Sequence, residues 1–161
     1  MCLISPGVKY FSNELSWIHR HTNFAWDLTS EVYKSLDNID RFPVKNSQYK
    51  SFEATEALKN FTRKIFDFDH NTAVQVLYRD VDIHVDLFRT VAYNFVVDTG
   101  GDEVSTCFYD EEDNLIDSFI ITPYKWHKLK VDTKHNVVNL TRPRIAITVH
   151  DIKEIPQEYR W

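Results

Sequence analysis

Thr72-Ala73-Val74-Gln75-Val76-Leu77-Tyr78 opens the series of short β-rich runs that decides the fold of this chain. Further runs follow at 91–97, 104–109, 115–122, 126–131, 136–140 and 144–149, each four to eight residues rich in β-branched and aromatic side chains. Gly100-Gly101 and Glu111-Glu112-Asp113-Asn114 stand where tight connections are needed, and Pro123 ends one run. About eight short strands at regular spacing, without helices between them, predict an antiparallel sandwich or barrel.

Upstream of this region the pattern is different. Residues 1–26 mix single apolar side chains with His19, Arg20 and His21 and read as irregular chain or a short edge strand. His19 and His21 have the spacing that ligands use, but with no carboxylate or third histidine nearby they read as a surface pair. Asp27 carries helix-start chemistry for a short helix reaching about Leu36. A second helix is expected over 47–66, where Ala54, Leu58, Phe61 and Ile65 form one apolar stripe and Lys59, Arg63 and Lys64 take the other faces. Length predicts a single domain over 1–161, with 1–70 as irregular and helical support and 71–161 as a β core.

Composition narrows the partners. The 14% aromatic content argues for a filled interior. A formal charge of −5 provides no basic field to collect phosphate backbones, so nucleic acid is not an expected partner. No apolar run approaches the ~20 residues a bilayer span needs. Cys2 and Cys107 belong to no close pair, and the expectation is a reducing, cytoplasmic setting without membrane association.

The chemistry sits in two places. His84-Val85-Asp86 offers an imidazole and a carboxylate two residues apart, which extended backbone points to one side. The flanking Ile83, Val85, Leu87 and Phe88 are expected to fill the core while the polar pair faces a cavity. Downstream, His135 supplies another imidazole, and Arg144, nine positions later, opens an aliphatic strand. Two histidines and one carboxylate on one face of an ion are the ligand set of non-haem Fe(II) oxygenases. A guanidinium adds a planar fork suited to a carboxylate.

The order His84-x-Asp86-x-x-Arg89, Asn94, then His135-x-x-x-Asn139 and Arg144 resembles the 2-oxoglutarate/Fe(II)-dependent dioxygenases. It is most similar to the aspartyl/asparaginyl hydroxylase-like and phage-type members, over roughly the C-terminal half of the chain. The resemblance implies a mainly β fold with flanking helices, the double-stranded β-helix or cupin-like jelly roll, with Fe(II) held by His84, Asp86 and His135 inside one open end. His135 is preferred to His127 and His150 because only it has the distal Asn and Arg. Arg144 would bind the far carboxylate of 2-oxoglutarate, with Thr148, on the same strand face, as a further donor; Arg142 stays open as the alternative. Arg89 and Asn94 match the proximal motif and would shape the cosubstrate or substrate pocket. The implied activity is oxygen-dependent hydroxylation of a small molecule or peptide side chain. A cupin-type metal enzyme that does not use 2-oxoglutarate and a non-catalytic β-sandwich binding protein are the rivals.

Overall fold

The structure is a computed structural model that describes residues 11–12, 25–37 and 48–159. In chain order it contains β1 (Phe11–Ser12), α1 (Ala25–Ser35), β2 (Tyr49–Glu53), α2 (Glu56–Ile65), β3 (His70–Leu77), β4 (Val81–His84), β5 (Val91–Asp98), β6 (Ser105–Tyr109), β7 (Leu115–Ile120), β8 (Trp126–Lys130), β9 (Lys134–Val138) and β10 (Arg144–Asp151). His19, His21 and Cys2 lie outside the described residues, while Cys107 is a buried free thiol.

Two antiparallel sheets face each other. The larger runs β1-β8-β5-β10-β3-β2 and the smaller β4-β9-β6-β7. Sequential strands alternate between the sheets through much of this order, and the architecture is that of the jelly roll, or double-stranded β-helix.

Period-two alternation on β10 explains how the larger sheet divides its two faces. Ile145, Ile147 and Val149 join Val74, Phe95 and Trp126 in a core under the helices, to which α1 adds Leu28 and Val32 and α2 adds Leu58 and Ile65. Each such aliphatic side chain contributes about 1.5–3 kcal/mol on full burial. The opposite face carries Ala146 and, from β5, Ala92 and Val96, which pack with Phe108, Ile121, Leu129 and Val131 between the sheets. Alanine at 92 and 146 keeps that second core shallow, which leaves room for a cavity.

The helix expected over 47–66 is a strand followed by a shorter helix. Tyr49–Glu53 pairs with β3, from Tyr49 opposite Leu77 to Glu53 opposite Ala73. The helix begins only after Thr55, whose side chain accepts from the Leu58 N–H. Leu58, Phe61 and Ile65 of the apolar stripe belong to the helix and Ala54 precedes its cap, whereas Tyr49 and Phe52 suit either period, and strand pairing decides between them. The first helix starts at Ala25, two residues before the expected Asp27 cap. No helix among the described residues is long and apolar enough to cross a membrane.

Candidate metal centre and carboxylate pocket

His84 ends β4 and His135 lies on β9, and the ladder between these strands sets the two residues directly opposite each other. Their rings stand 4.4 Å apart between centroids, the separation expected of a cross-strand pair. Phe108, opposite His135 on β6, backs the second imidazole at 6.0 Å. Asp86 follows the end of β4, where its N–H donates to the Val131 carbonyl at 3.0 Å, anchoring the carboxylate beside both rings. His84, Asp86 and His135 therefore place one donor atom each within 4.8 Å of one another.

The hydrogen bonds on the far side of each ring fix its tautomer. His84 Nδ1–H donates to the Asp82 carbonyl at 2.7 Å, and His135 Nδ1–H donates to the Thr133 carbonyl, also at 2.7 Å. A carbonyl only accepts, so both Nδ1 atoms carry hydrogen, and the neutral form of each ring turns its Nε2 lone pair inward. Those Nε2 atoms lie 3.3 Å and 3.2 Å from the same Asp86 Oδ1. Lone pairs converging at that distance repel unless a cation sits among them, either protons or a metal ion. This donor set fits a divalent ion of the imidazole- and carboxylate-binding kind. Burial alone would lower the His84 pKa, but its hydrogen bonds to Asp86 and to the Asp82 backbone outweigh that and raise it. Burial would likewise raise Asp86, yet His135, His84 and Arg89 together hold its carboxyl well below the usual carboxylate range.

The three residues open into a cavity of about 490 Å³ that also includes Arg89, Asn94, Thr106, Arg144, Ala146 and His150. Arg144 is 4% exposed. Its Nε donates to the Thr99 carbonyl at 2.8 Å and its Nη1 to Thr106 Oγ1 at 3.3 Å, which leaves Nη2 buried without a partner. Burial pushes its pKa down to about 10. The loop after β5 makes this arrangement possible: Gly100, at φ +86°, would press an added Cβ to 3.0 Å from the Arg142 carbonyl and 3.2 Å from Arg144 Cβ. Arg142 instead points outward, 52% exposed in its side chain, and pairs with Asp98 at 2.9 Å.

Arg89 enters from the loop between β4 and β5, where Phe88 adopts φ 56°, a conformation that costs a bulky side chain about 1–2 kcal/mol. Its Nη2 donates to Thr148 Oγ1 and to the Val149 carbonyl, and its Nη1 stands 3.9 Å from Asp86 Oδ2. Thr148 thus uses its hydroxyl to accept from Arg89 and does not line the cavity. Asn94, the cross-strand partner of Thr148, does line it, with Oδ1 buried and without a partner. Asn139 follows the end of β9 at φ 71°, its amide 3.4 Å from the Glu103 carbonyl, and does not line the cavity. His127 is fully buried and bonds the Thr122 carbonyl at 2.9 Å; it stands opposite Asn94 across the β5–β8 ladder without lining the cavity.

The apolar neighbours of the His84 and Asp86 pair are on the surface rather than in the core. Val85 is 53% and Leu87 76% exposed, with Ile83 and Phe88 also exposed. The reason is topological: β4 is an edge strand bonded only to β9, so no described strand covers its outer side. Thr106 is a site residue that the motifs do not mark, and His150, weighed above only as a metal ligand, lines the cavity outside the triad. His150 continues the face of β10 set by Arg144, Ala146 and Thr148, so the period of two was its available signal. Thr106 carries no such mark, because its place beneath Arg144 depends on the packing of two sheets.

No family model and no curated protein matches the chain. Among solved structures it is similar to a Pseudomonas putida prolyl-4-hydroxylase, with a TM-score of 0.55 and 10% identity over 88% of this chain and 91% of that one. It is also similar to oxalate decarboxylases of Bacillus subtilis and Lactobacillus farciminis, with TM-scores of 0.47 and 0.45 at 11% identity, covering 74% and 68% of this chain. The chain spans less than a third of those decarboxylases, 29% and 30% of their lengths. At 10% identity the likeness to the prolyl-4-hydroxylase is one of fold, and it agrees with the double-stranded β-helix described above.

Proposed function

We propose that the protein is an Fe(II)- and 2-oxoglutarate-dependent oxygenase that hydroxylates a small molecule or a peptide side chain. The observation that carries this reading is one cavity holding both a His84, Asp86 and His135 donor set and a buried Arg144 with a free N–H. The likeness in fold to a prolyl-4-hydroxylase over nearly the whole of both chains supports it. Iron and 2-oxoglutarate, when bound, would activate molecular oxygen, one atom going to the cosubstrate, which leaves as succinate and carbon dioxide, and the other to the substrate as hydroxyl.

The chain's own residues have three tasks in this scheme. His84 and His135 present Nε2 because backbone carbonyls hold Nδ1–H, and Asp86 presents Oδ1 between them. Arg144 would take the distal carboxylate of 2-oxoglutarate through Nη2 while Thr99 and Thr106 keep its guanidinium in plane. The apolar floor of Ala92, Val96 and Ala146 excludes water from the space between.

The test is succinate formation from 2-oxoglutarate by the Fe(II)-loaded chain, compared among wild type, His84→Ala and Arg144→Ala. Succinate from wild type alone supports the reading. Metal uptake without 2-oxoglutarate binding would favour a cupin-type metal enzyme of another reaction class, and absence of metal uptake would favour a binding protein.

A further inference from the structure

Arg89 and Asn94 lack the partners their position demands. Arg89 has two of its nitrogens accounted for, Nη2 on Thr148 and Val149 and Nη1 toward Asp86, but its Nε is buried and bonds nothing. Asn94 Oδ1 is buried and bonds nothing. A buried donor or acceptor left unsatisfied costs about 1–3 kcal/mol, so the pair is costly in the empty protein. Both line the cavity, and both touch or pair with Thr148, Arg89 by hydrogen bond and Asn94 across the ladder, so they are adjacent on the face that looks into the cavity.

Charge points the same way. A divalent ion with Arg89 and Arg144, set against Asp86, leaves three positive charges inside; Asp82 is at the exposed rim, held by Gln48 at 2.9 Å, and Glu154, whose charge also reaches Arg89, is held by the Thr90 N–H outside the cavity lining. A dianionic cosubstrate leaves one. His150, the remaining titratable group on this wall, is pushed toward its neutral form by burial and by Arg89 itself, so it adds no charge. Its Nε2–H is committed to the Phe88 carbonyl at 2.8 Å.

We infer that the substrate is a small monocarboxylate that also carries an N–H or O–H donor, its carboxylate taken by Arg89 and its donor by Asn94. This rests on the oxygenase reading for its place beside the metal, and it assigns the two arginines to different ligands: Arg144 to the cosubstrate and Arg89 to the substrate. Arg89 is thereby a specificity-determining residue.

The probes are N-acetylated amino acids, each a monoanion with one N–H, against their neutral primary amides. Binding to the Mn(II)-loaded full chain with saturating 2-oxoglutarate is read under nitrogen by thermal shift and then by calorimetry. At least one acid is expected to bind wild type about tenfold or more tightly than its amide, the difference a charge-assisted hydrogen bond makes. In Arg89→Gln that preference should vanish, in Arg89→Lys it should survive in part, and 2-oxoglutarate affinity should change less than about threefold in both. A merely structural role for Arg89 would weaken acid and amide alike. Failure of every acid to bind wild type, survival of the preference in Arg89→Gln, or a loss of 2-oxoglutarate binding equal to the loss of acid binding would each overturn the assignment. If wild type takes up neither Mn(II) nor 2-oxoglutarate, the oxygenase reading fails on its own, and the acid-against-amide comparison on the metal-free chain still decides Arg89.

Discussion

Replacing Arg144 by methionine should stabilise the empty protein while removing its affinity for 2-oxoglutarate. A pKa pushed down to about 10 by burial in a residue only 4% exposed corresponds to a cost of about 3 kcal/mol on the charged guanidinium. Methionine has similar length, needs no hydrogen bond and removes that cost. Against this stand the hydrogen bonds to the Thr99 carbonyl and Thr106 Oγ1, worth about 1 kcal/mol each. The balance is a gain of about 1 kcal/mol, which for a chain of this size raises Tm by about 2–4 °C. Binding should move the other way: the loss of a charge-assisted fork weakens 2-oxoglutarate by about 100-fold or more. Melts of the chelator-treated protein and ligand-induced shifts of the metal-loaded protein measure the two effects separately. A fall in Tm of the empty variant would show that the guanidinium is compensated at rest, and unchanged affinity for 2-oxoglutarate would remove Arg144 from the site.

Three further outcomes follow from the same geometry. At a free Mn(II) or Fe(II) concentration about 100 times Kd, the wild type should melt about 5–10 °C above the chelator-treated protein, and His84→Ala and His135→Ala should each abolish that difference. In the metal-free chain the raised pKa of His84 contributes stability fully present below pH 6.5 and lost as pH rises through the folded value, so urea midpoints should decline across that window in wild type and not in His84→Ala; metal affinity should rise over the same window, because the ion competes with the proton for Nε2. Gly100→Ala should cost about 1–2 kcal/mol for its left-handed backbone alone, and the added Cβ against Arg144 should weaken 2-oxoglutarate binding beyond what the loss of stability explains, as read by titration at a temperature where the variant stays folded.

Much of the β framework was legible because its signals are local. The runs expected at 91–97, 126–131 and 144–149 match β5, β8 and β10 to within two residues, since alternating burial and β-branched content speak for themselves. The segment 47–53 was not, because an edge strand earns its identity from the partner it pairs with, and Tyr49 to Glu53 pairs with a strand some twenty residues downstream. The site divides along the same line. Spacing marks His84 and Asp86, but that His135 faces His84 across a ladder depends on register, which no single segment encodes. The exposure of Val85 and Leu87 was hidden for the same reason: apolar residues at an edge look like core until the sheet order is known.

The placement of the two arginines suggests why a cavity of this kind can be both costly and stable. Arg144 is rooted in the larger sheet yet bonds Thr106 of the smaller one, while His84 and His135 belong to the smaller sheet and Asp86 is tied to Val131 at the end of β8. A metal ion held by the triad and a diacid reaching from it to Arg144 would therefore connect the two sheets through the interior. By mass action any ligand that binds only the folded chain adds its binding energy to the stability of the sandwich. Urea denaturation with metal alone, with 2-oxoglutarate alone and with both is then expected to show more than additive stabilisation for the pair. Strict additivity would mean that the two ligands do not share the cavity between the sheets.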